Sequence, residues 1–415
     1  MGEKSGAGGY RWLALALLAL AFFLLQGVRQ VYNATLPQIR LDFADAGVSN
    51  AQLGMVGTAF LLCYGIVVPF AGIAADLLRR KWVIVAGVTL FSVGVFASGF
   101  AAGLGLFFVA FGLLNGVGQC MVPSSSTSII AQLHPETRAT ALSLYQMALF
   151  AGMMACSVLA GWLGGLGPGG WRWAFWFLGG AGGVVLVLLV VFLRDTPQPV
   201  TGGREKAGFG EAVAAMTRKP SALLMTLAFG AVVFGVNGFR TWMPFHLQQT
   251  AGLDPAAAAF HAVFWFHLAA FVGIFLASRF SDRLAWNRKG IRLDVNALGL
   301  IGCIVPVTLV VRMDSLLATC IVMVVYGFMH GVYDANYFAA LYDVVAPRYR
   351  AAATGLFCCG AFLMGCASPA VMGLLGVRTG FVLIGAVYAV GALATGVARL
   401  VFLTRDYVES GKDAT

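Results

Sequence analysis

Two arginines stand where lipid depth should exclude a charge, and their neighbours are groups that could bind an anion. Arg29 lies in Phe23-Leu24-Leu25-Gln26-Gly27-Val28-Arg29-Gln30-Val31-Tyr32-Asn33-Ala34-Thr35-Leu36-Pro37, which begins as apolar helix. A charge at mid-bilayer costs about 2.5–3.5 kcal/mol on insertion scales, so such a residue faces a bundle interior or a watery path. Gln26, Tyr32 and Asn33 fall at i−3, i+3 and i+4 from Arg29, on one helix face. Arg240 sits in Val236-Asn237-Gly238-Phe239-Arg240-Thr241-Trp242-Met243-Pro244, with Asn237 and Pro244 on its own face. A guanidinium fork grips carboxylate, phosphate or sulfonate in two parallel hydrogen bonds. Facing each other across a cavity about 8 Å wide, the two would repel by roughly 2 kcal/mol at an effective dielectric near 20, and a bound anion would offset that. The plainer reading is an arginine that caps carbonyls or pairs with an acid. Acids at this depth are nearly absent and the pair is symmetric, which favours an anion clamp.

Asp334 is the one acid deep in an apolar segment. Tyr326, His330, Tyr333, Asp334 and Tyr337 recur at helical spacing and form a polar-aromatic stripe. Two readings stand side by side: a proton-coupling carboxylate with a titrating His330 beside it, or a structural pair of Asp334 with Arg240 or His330. His267, mid-segment, is a further candidate for the site and for proton traffic. Tyr145 and Gln146, and Asn115 with Gln119, are polar groups that could line a path or hydrogen-bond helix to helix.

The elements that must carry these residues follow from composition. The chain of 415 residues is 60% hydrophobic and only 11% charged, against about 25% charged in soluble domains; its mean hydropathy is +0.86. Apolar runs of 18 or more residues recur along its length, the signature of a polytopic, all-α membrane protein. The net charge of +10 is spread between alternate apolar segments, so nucleic acid is not the partner. The eight cysteines all fall inside apolar segments without metal spacing and read as packing residues. No phosphate loop, metal cluster or nucleophile triad stands outside apolar helix, so neither a cofactor nor an enzyme is expected.

Twelve spans are expected, roughly at 12–36, 51–75, 82–102, 105–132, 139–165, 171–193, 221–247, 256–280, 292–312, 314–344, 350–375 and 378–403. Two six-helix bundles, 1–193 and 220–415, flank a polar linker, 194–219. With both termini cytoplasmic, 21 Lys and Arg fall on the inner side and four on the outer, which sets the orientation. The halves repeat. Asp76 and Asp282, and Arg172 and Arg378, are each 206 residues apart, while 211 residues separate Arg29 from Arg240. Same-sense repeats are related by an axis along the membrane normal.

Gly72-Ile73-Ala74-Ala75-Asp76-Leu77-Leu78-Arg79-Arg80-Lys81 resembles the G-x-x-x-D-R-x-G-R-[RK] loop of the major facilitator superfamily, keeping Gly72, Asp76, Arg80 and Lys81. Ser278-Arg279-Phe280-Ser281-Asp282-Arg283 is a weaker copy. The resemblance implies two parallel six-helix bundles that alternate access by rocking. It also implies a cytoplasmic latch made by those four residues with Asp282 and Arg283. Within the superfamily the span-one arginine resembles the organophosphate:phosphate exchangers and the anion:cation symporters for sugar acids and sialic acid. The symporters place an acid where this chain has Val28, which leaves Asp334 as the coupling candidate. The expectation is therefore a monomeric transporter in a bacterial inner membrane. It would carry a small organic anion with protons or a counter-anion, clamped by Arg29 and Arg240. Efflux of a bulkier amphiphilic anion or drug, and a transporter-like sensor without flux, are the alternatives.

Overall fold

The computed structural model describes residues 3–44, 46–134, 137–195, 209–285, 288–346 and 349–408; the side chains of 3–8, 72–77, 138–139, 209–210, 212, 215, 285 and 351–352 lie outside that description. Among the described residues twelve helices are long and apolar enough to cross a membrane. They are α1 (Gly9–Asp42), α2 (Asn50–Ala71), α3 (Arg80–Ser98), α4 (Leu104–Leu133), α5 (Thr140–Gly164), α6 (Trp171–Phe192), α7 (Pro220–Thr250), α8 (Pro255–Leu284), α9 (Ile291–Arg312), α10 (Leu316–Val344), α11 (Ala353–Leu375) and α12 (Val377–Asp406). Helix is what lipid demands of such runs, because every backbone polar group must be satisfied within its own segment. The described part of the linker adds a short helix, Phe209–Thr217.

Several spans are irregular. Residues Phe108–Asn115 of α4 wind as a π-helix. In α10 the helix stops at Asp334 and resumes at Tyr337, so the polar-aromatic stripe does not run along one continuous face. In α7, Pro244 cannot donate to the carbonyl of Arg240, four residues back.

The chain forms two compact units. The first is Met1–Val200 with Met243–Val263; the second is Thr201–Trp242 with Phe264–Thr415. The end of α7 and the start of α8 thus pack with α1–α6. Gln38 Nε2 donates to Gln248 Oε1 at 3.3 Å, and the Arg40 guanidinium lies over the Phe245 ring at 5.5 Å.

Small residues set the crossings that carry the polar groups. In the first unit α1 and α5 meet at Gly27 and Gly152; a Cβ on Gly152 would lie 2.1 Å from the Phe23 carbonyl oxygen. In the second, α10 meets α8 at Gly327 and Gly331, where a Cβ would come within 2.2 and 2.1 Å of the carbonyls of Phe266 and Ala270. Backbones can approach that closely only where the side chain is a hydrogen.

Candidate functional site

In the first unit Arg29 projects from α1 two residues beyond the Gly27 crossing. Its guanidinium carbon lies 5.1 Å from the Phe60 ring centroid and 5.4 Å from that of Tyr64, both on α2. Among the described residues its side chain has no hydrogen bond and no ion pair, and it is only partly buried. The rings beneath it continue into the protein: Phe60 stacks on Phe111 of α4 at 6.0 Å, and Phe111 on Tyr32 at 5.2 Å. Tyr32 closes this column by donating its hydroxyl to the carbonyl of Leu53. The result is a cation on the open end of a rigid aromatic stack, an arrangement worth about 0.5–2 kcal/mol per cation–π contact.

The polar neighbours of Arg29 are therefore spent differently from the single face that their spacing suggests. Tyr32 is buried in helix packing. Asn33 Nδ2 donates to Gln30 Oε1 at 2.9 Å, within α1. Gln26 is 7% exposed. On α5, Tyr145 is buried and stacks on Phe22 at 4.3 Å, with planes 4° apart, while Gln146 is exposed. Gln119 Nε2 donates to Asn115 Oδ1 at 3.0 Å along α4, while Asn115 Nδ2 and Gln119 Oε1 are buried without a partner among the described residues.

In the second unit Arg240 Nη2 lies 3.0 Å from His267 Nε2. Arginine can only donate, so His267 accepts through Nε2 and carries its proton on Nδ1. Asp334 pairs with His330, Oδ2 to Nε2 at 3.1 Å, one helical turn apart on α10. The pairing of Asp334 with His330, one of the two that the sequence left open, is thus present. The Phe266 ring separates the two histidines by contacting both, at 5.0 Å from His267 and 5.1 Å from His330. Tyr326 turns into the core, with its hydroxyl 2.6 Å from that of Tyr388 on α12. Tyr333 and Tyr337 stack across the helix break at 6.0 Å, and Tyr337 rests on Phe229 at 4.6 Å. Asn237 Nδ2 donates to the carbonyl of Val233 at 2.8 Å, back along α7. The second unit thus brings together Arg240, His267, His330 and Asp334, and places Asn237 in local backbone bonding.

Of the latch residues, the side chains of Gly72 and Asp76 lie outside the described residues. Arg80 is buried at the start of α3, and its Nε and Nη1 have no hydrogen-bond partner among the described residues. Lys81 donates from Nζ to the Val190 carbonyl at 2.7 Å. Asp282 Oδ1 lies 3.9 Å from Arg292, whose other nitrogen bonds Asp343 at 2.6 Å, and Arg283 is exposed. Phe60, Tyr64, Phe266 and Tyr388 were not distinguishable in the sequence. The one available signal, Phe60 and Tyr64 at i and i+4, recurs by chance in a chain with 32 Phe and 11 Tyr.

Among the described residues, twelve helices long enough to cross a membrane, in two compact units, are the architecture of a membrane transporter, and the comparisons agree. Residues 18–369 match the Major Facilitator Superfamily, and the chain belongs to that superfamily, whose members are transporters and not enzymes. It is 26% identical to the cis,cis-muconate transport protein of Acinetobacter baylyi over 93% of this chain and 94% of that protein. It is 29% identical to the quinolone resistance protein NorA of Staphylococcus aureus, over 48% of this chain and 51% of that one. Among solved structures it resembles a bacterial homolog of the human lysosomal transporter Spinster in an inward-facing, unoccupied conformation. There the TM-score is 0.85 and the identity 21%, over 97% of this chain and 99% of the other.

Proposed function

We propose that this chain is a secondary active transporter of a small organic anion, a carboxylate above all, recognised by Arg29 and Arg240. The observation that carries the reading is Arg29: a membrane-buried cation with no acid and no hydrogen-bond partner among the described residues, stacked on Phe60 and Tyr64. Cations are retained at such depth for a ligand or an ion path. The aromatic faces hold the guanidinium by its plane, which leaves its N–H edges for a bidentate anion. The similarity to a muconate transport protein over nearly the whole of both chains supports a carboxylate.

The halves 1–193 and 220–415 then serve as the two moving bodies, joined by 194–219, in a monomer with both termini cytoplasmic in a bacterial inner membrane. Protonation of the His330–Asp334 pair couples the anion to protons, since it removes a negative charge from the unit that carries Arg240. Gly72, Asp76, Arg80, Lys81, Asp282 and Arg283 act as the latch. Efflux of a bulkier amphiphilic anion or drug is the second reading, supported by the likeness to NorA. Counterflow in proteoliposomes loaded with unlabelled carboxylate tests the proposal. Saturable uptake of labelled carboxylate that Arg29→Ala abolishes is the expected result. Absence of flux would turn the reading towards a sensor, and flux of amphiphiles alone towards efflux.

A further inference from the structure

A cavity of about 330 Å³ opens in the second unit, well away from Arg240, where three spans end together. The first residue of α7, Pro220, and the last residues of α10 and α12, Val344 and Asp406, all fall at this level. The cavity therefore sits at the boundary between hydrocarbon and water, on the side of the membrane where α12 ends. Its size is that of a small-ligand pocket.

Three cations line it: Arg218, Lys219 and Arg405. Asp406 also lines it, but this carboxylate is already answered. It is 4% exposed and accepts from Ser221 N–H at 3.0 Å and Ser221 Oγ at 2.7 Å. Lys219 Nζ donates to Val344 O at 2.6 Å and to Asp406 O at 3.0 Å. Arg405 reaches Asp406 only through Nε, at 3.6 Å, and its side chain is 69% exposed. Arg218 is exposed, and its side chain has no hydrogen bond or ion pair among the described residues. Tyr349 adds a hydroxyl, 3.5 Å from Glu211 on the linker helix. Residues 344–346, all apolar, form the remaining wall.

We propose that this cavity is a binding site for a phosphate-type anion, carried by an anionic phospholipid headgroup or free in solution. Phosphate oxygens accept hydrogen bonds from guanidinium, ammonium and phenol alike, and basic pockets between helices at the membrane surface are suited to such headgroups. The apolar wall at residues 344–346 would take the glycerol end of a lipid. This site is independent of the transport site and does not rest on the anion reading of Arg29.

The test is thermal unfolding of the full-length protein in nanodiscs of phosphatidylcholine, alone or with phosphatidylglycerol, and in detergent with inorganic phosphate. Phosphatidylglycerol is expected to raise Tm by about 2–4 °C. Arg218→Gln/Arg405→Gln should lose that shift, while Arg279→Gln/Arg288→Gln, which removes the same charge from the same membrane face, should keep it. A shift from phosphate alone with the same arginine dependence assigns the site to a soluble occupant. No shift from either probe, or equal loss in both double variants, overturns the proposal.

Discussion

Arg29 is held by two aromatic faces and by nothing else among the described residues, which makes its substitutions informative. Arg29→Lys keeps the charge and loses the fork, so charged hydrogen bonds worth about 1.5–3 kcal/mol each are forfeited. Carboxylate affinity should fall roughly 10- to 100-fold in Arg29→Ala, and Arg29→Lys should recover only part of it in direct binding measurements. Phe60→Leu removes one cation–π contact and should weaken binding by a few-fold to about 30-fold, raising KM with little change in protein yield. Equal KM in Phe60→Leu and wild type would show that the ring is only packing. If Arg29 and Arg240 clamp the anion together as proposed, protonating Asp334 leaves two arginine charges facing it where ionised Asp334 leaves a net one. Affinity should therefore rise as pH falls in wild type and be flat with pH in Asp334→Asn. A pH-independent wild type would remove Asp334 from the coupling. At this scale the sequence exposes charges in lipid, because they are rare and costly, and so Arg29, Arg240 and Asp334 were legible. It conceals Phe60 and Tyr64, because an aromatic ring in a membrane helix is ordinary until its neighbour is known.

The helices themselves were legible because bilayer thickness fixes their length and lipid fixes their type. Their breaks were not. Nothing in Tyr333-Asp334-Ala335-Asn336 carries the proline or glycine that usually marks a break; Asn336 is instead drawn off by Ser281 Oγ, which donates to its Oδ1 at 2.8 Å. The interruption is a tertiary effect, invisible to a reading of α10 alone. Glycine-rich stretches were readable as close packing, but not which backbone each one meets. At the α1–α5 crossing the answer is the Phe23 carbonyl. Gly152→Val should therefore push α5 from α1, with an overpacking cost of about 1–3 kcal/mol. The expected outcome is a lower Tm in detergent and a loss of transport that follows from moving Arg29. An unchanged Tm would mean that the crossing is not close in the folded protein.

At the scale of the molecule, the repeat and the asymmetry of basic residues made the twelve-span, two-body plan readable, since both are patterns in the chain itself. The allotment of Met243–Val263 to the first unit was not, because it depends on side chains far apart in sequence, such as Gln38 and Gln248. That allotment makes α7 a helix owned by both bodies, divided next to Pro244, where a backbone hydrogen bond is missing. If the halves 1–193 and 220–415 must part at the Gln38–Gln248 contact during transport, Gln38→Cys/Gln248→Cys should form a disulfide under oxidation that stops flux, and reductant should restore it. Full flux with the disulfide formed would exclude such a step. Shared ownership also imposes reciprocity. A carboxylate bound at Arg240 and a bond closed at Gln248 act on one helix, so whatever factor the ligand applies to the disulfide equilibrium, the disulfide must apply to the ligand's affinity. The two titrations, run on the same double-cysteine protein, read one coupling constant from opposite ends of a single helix.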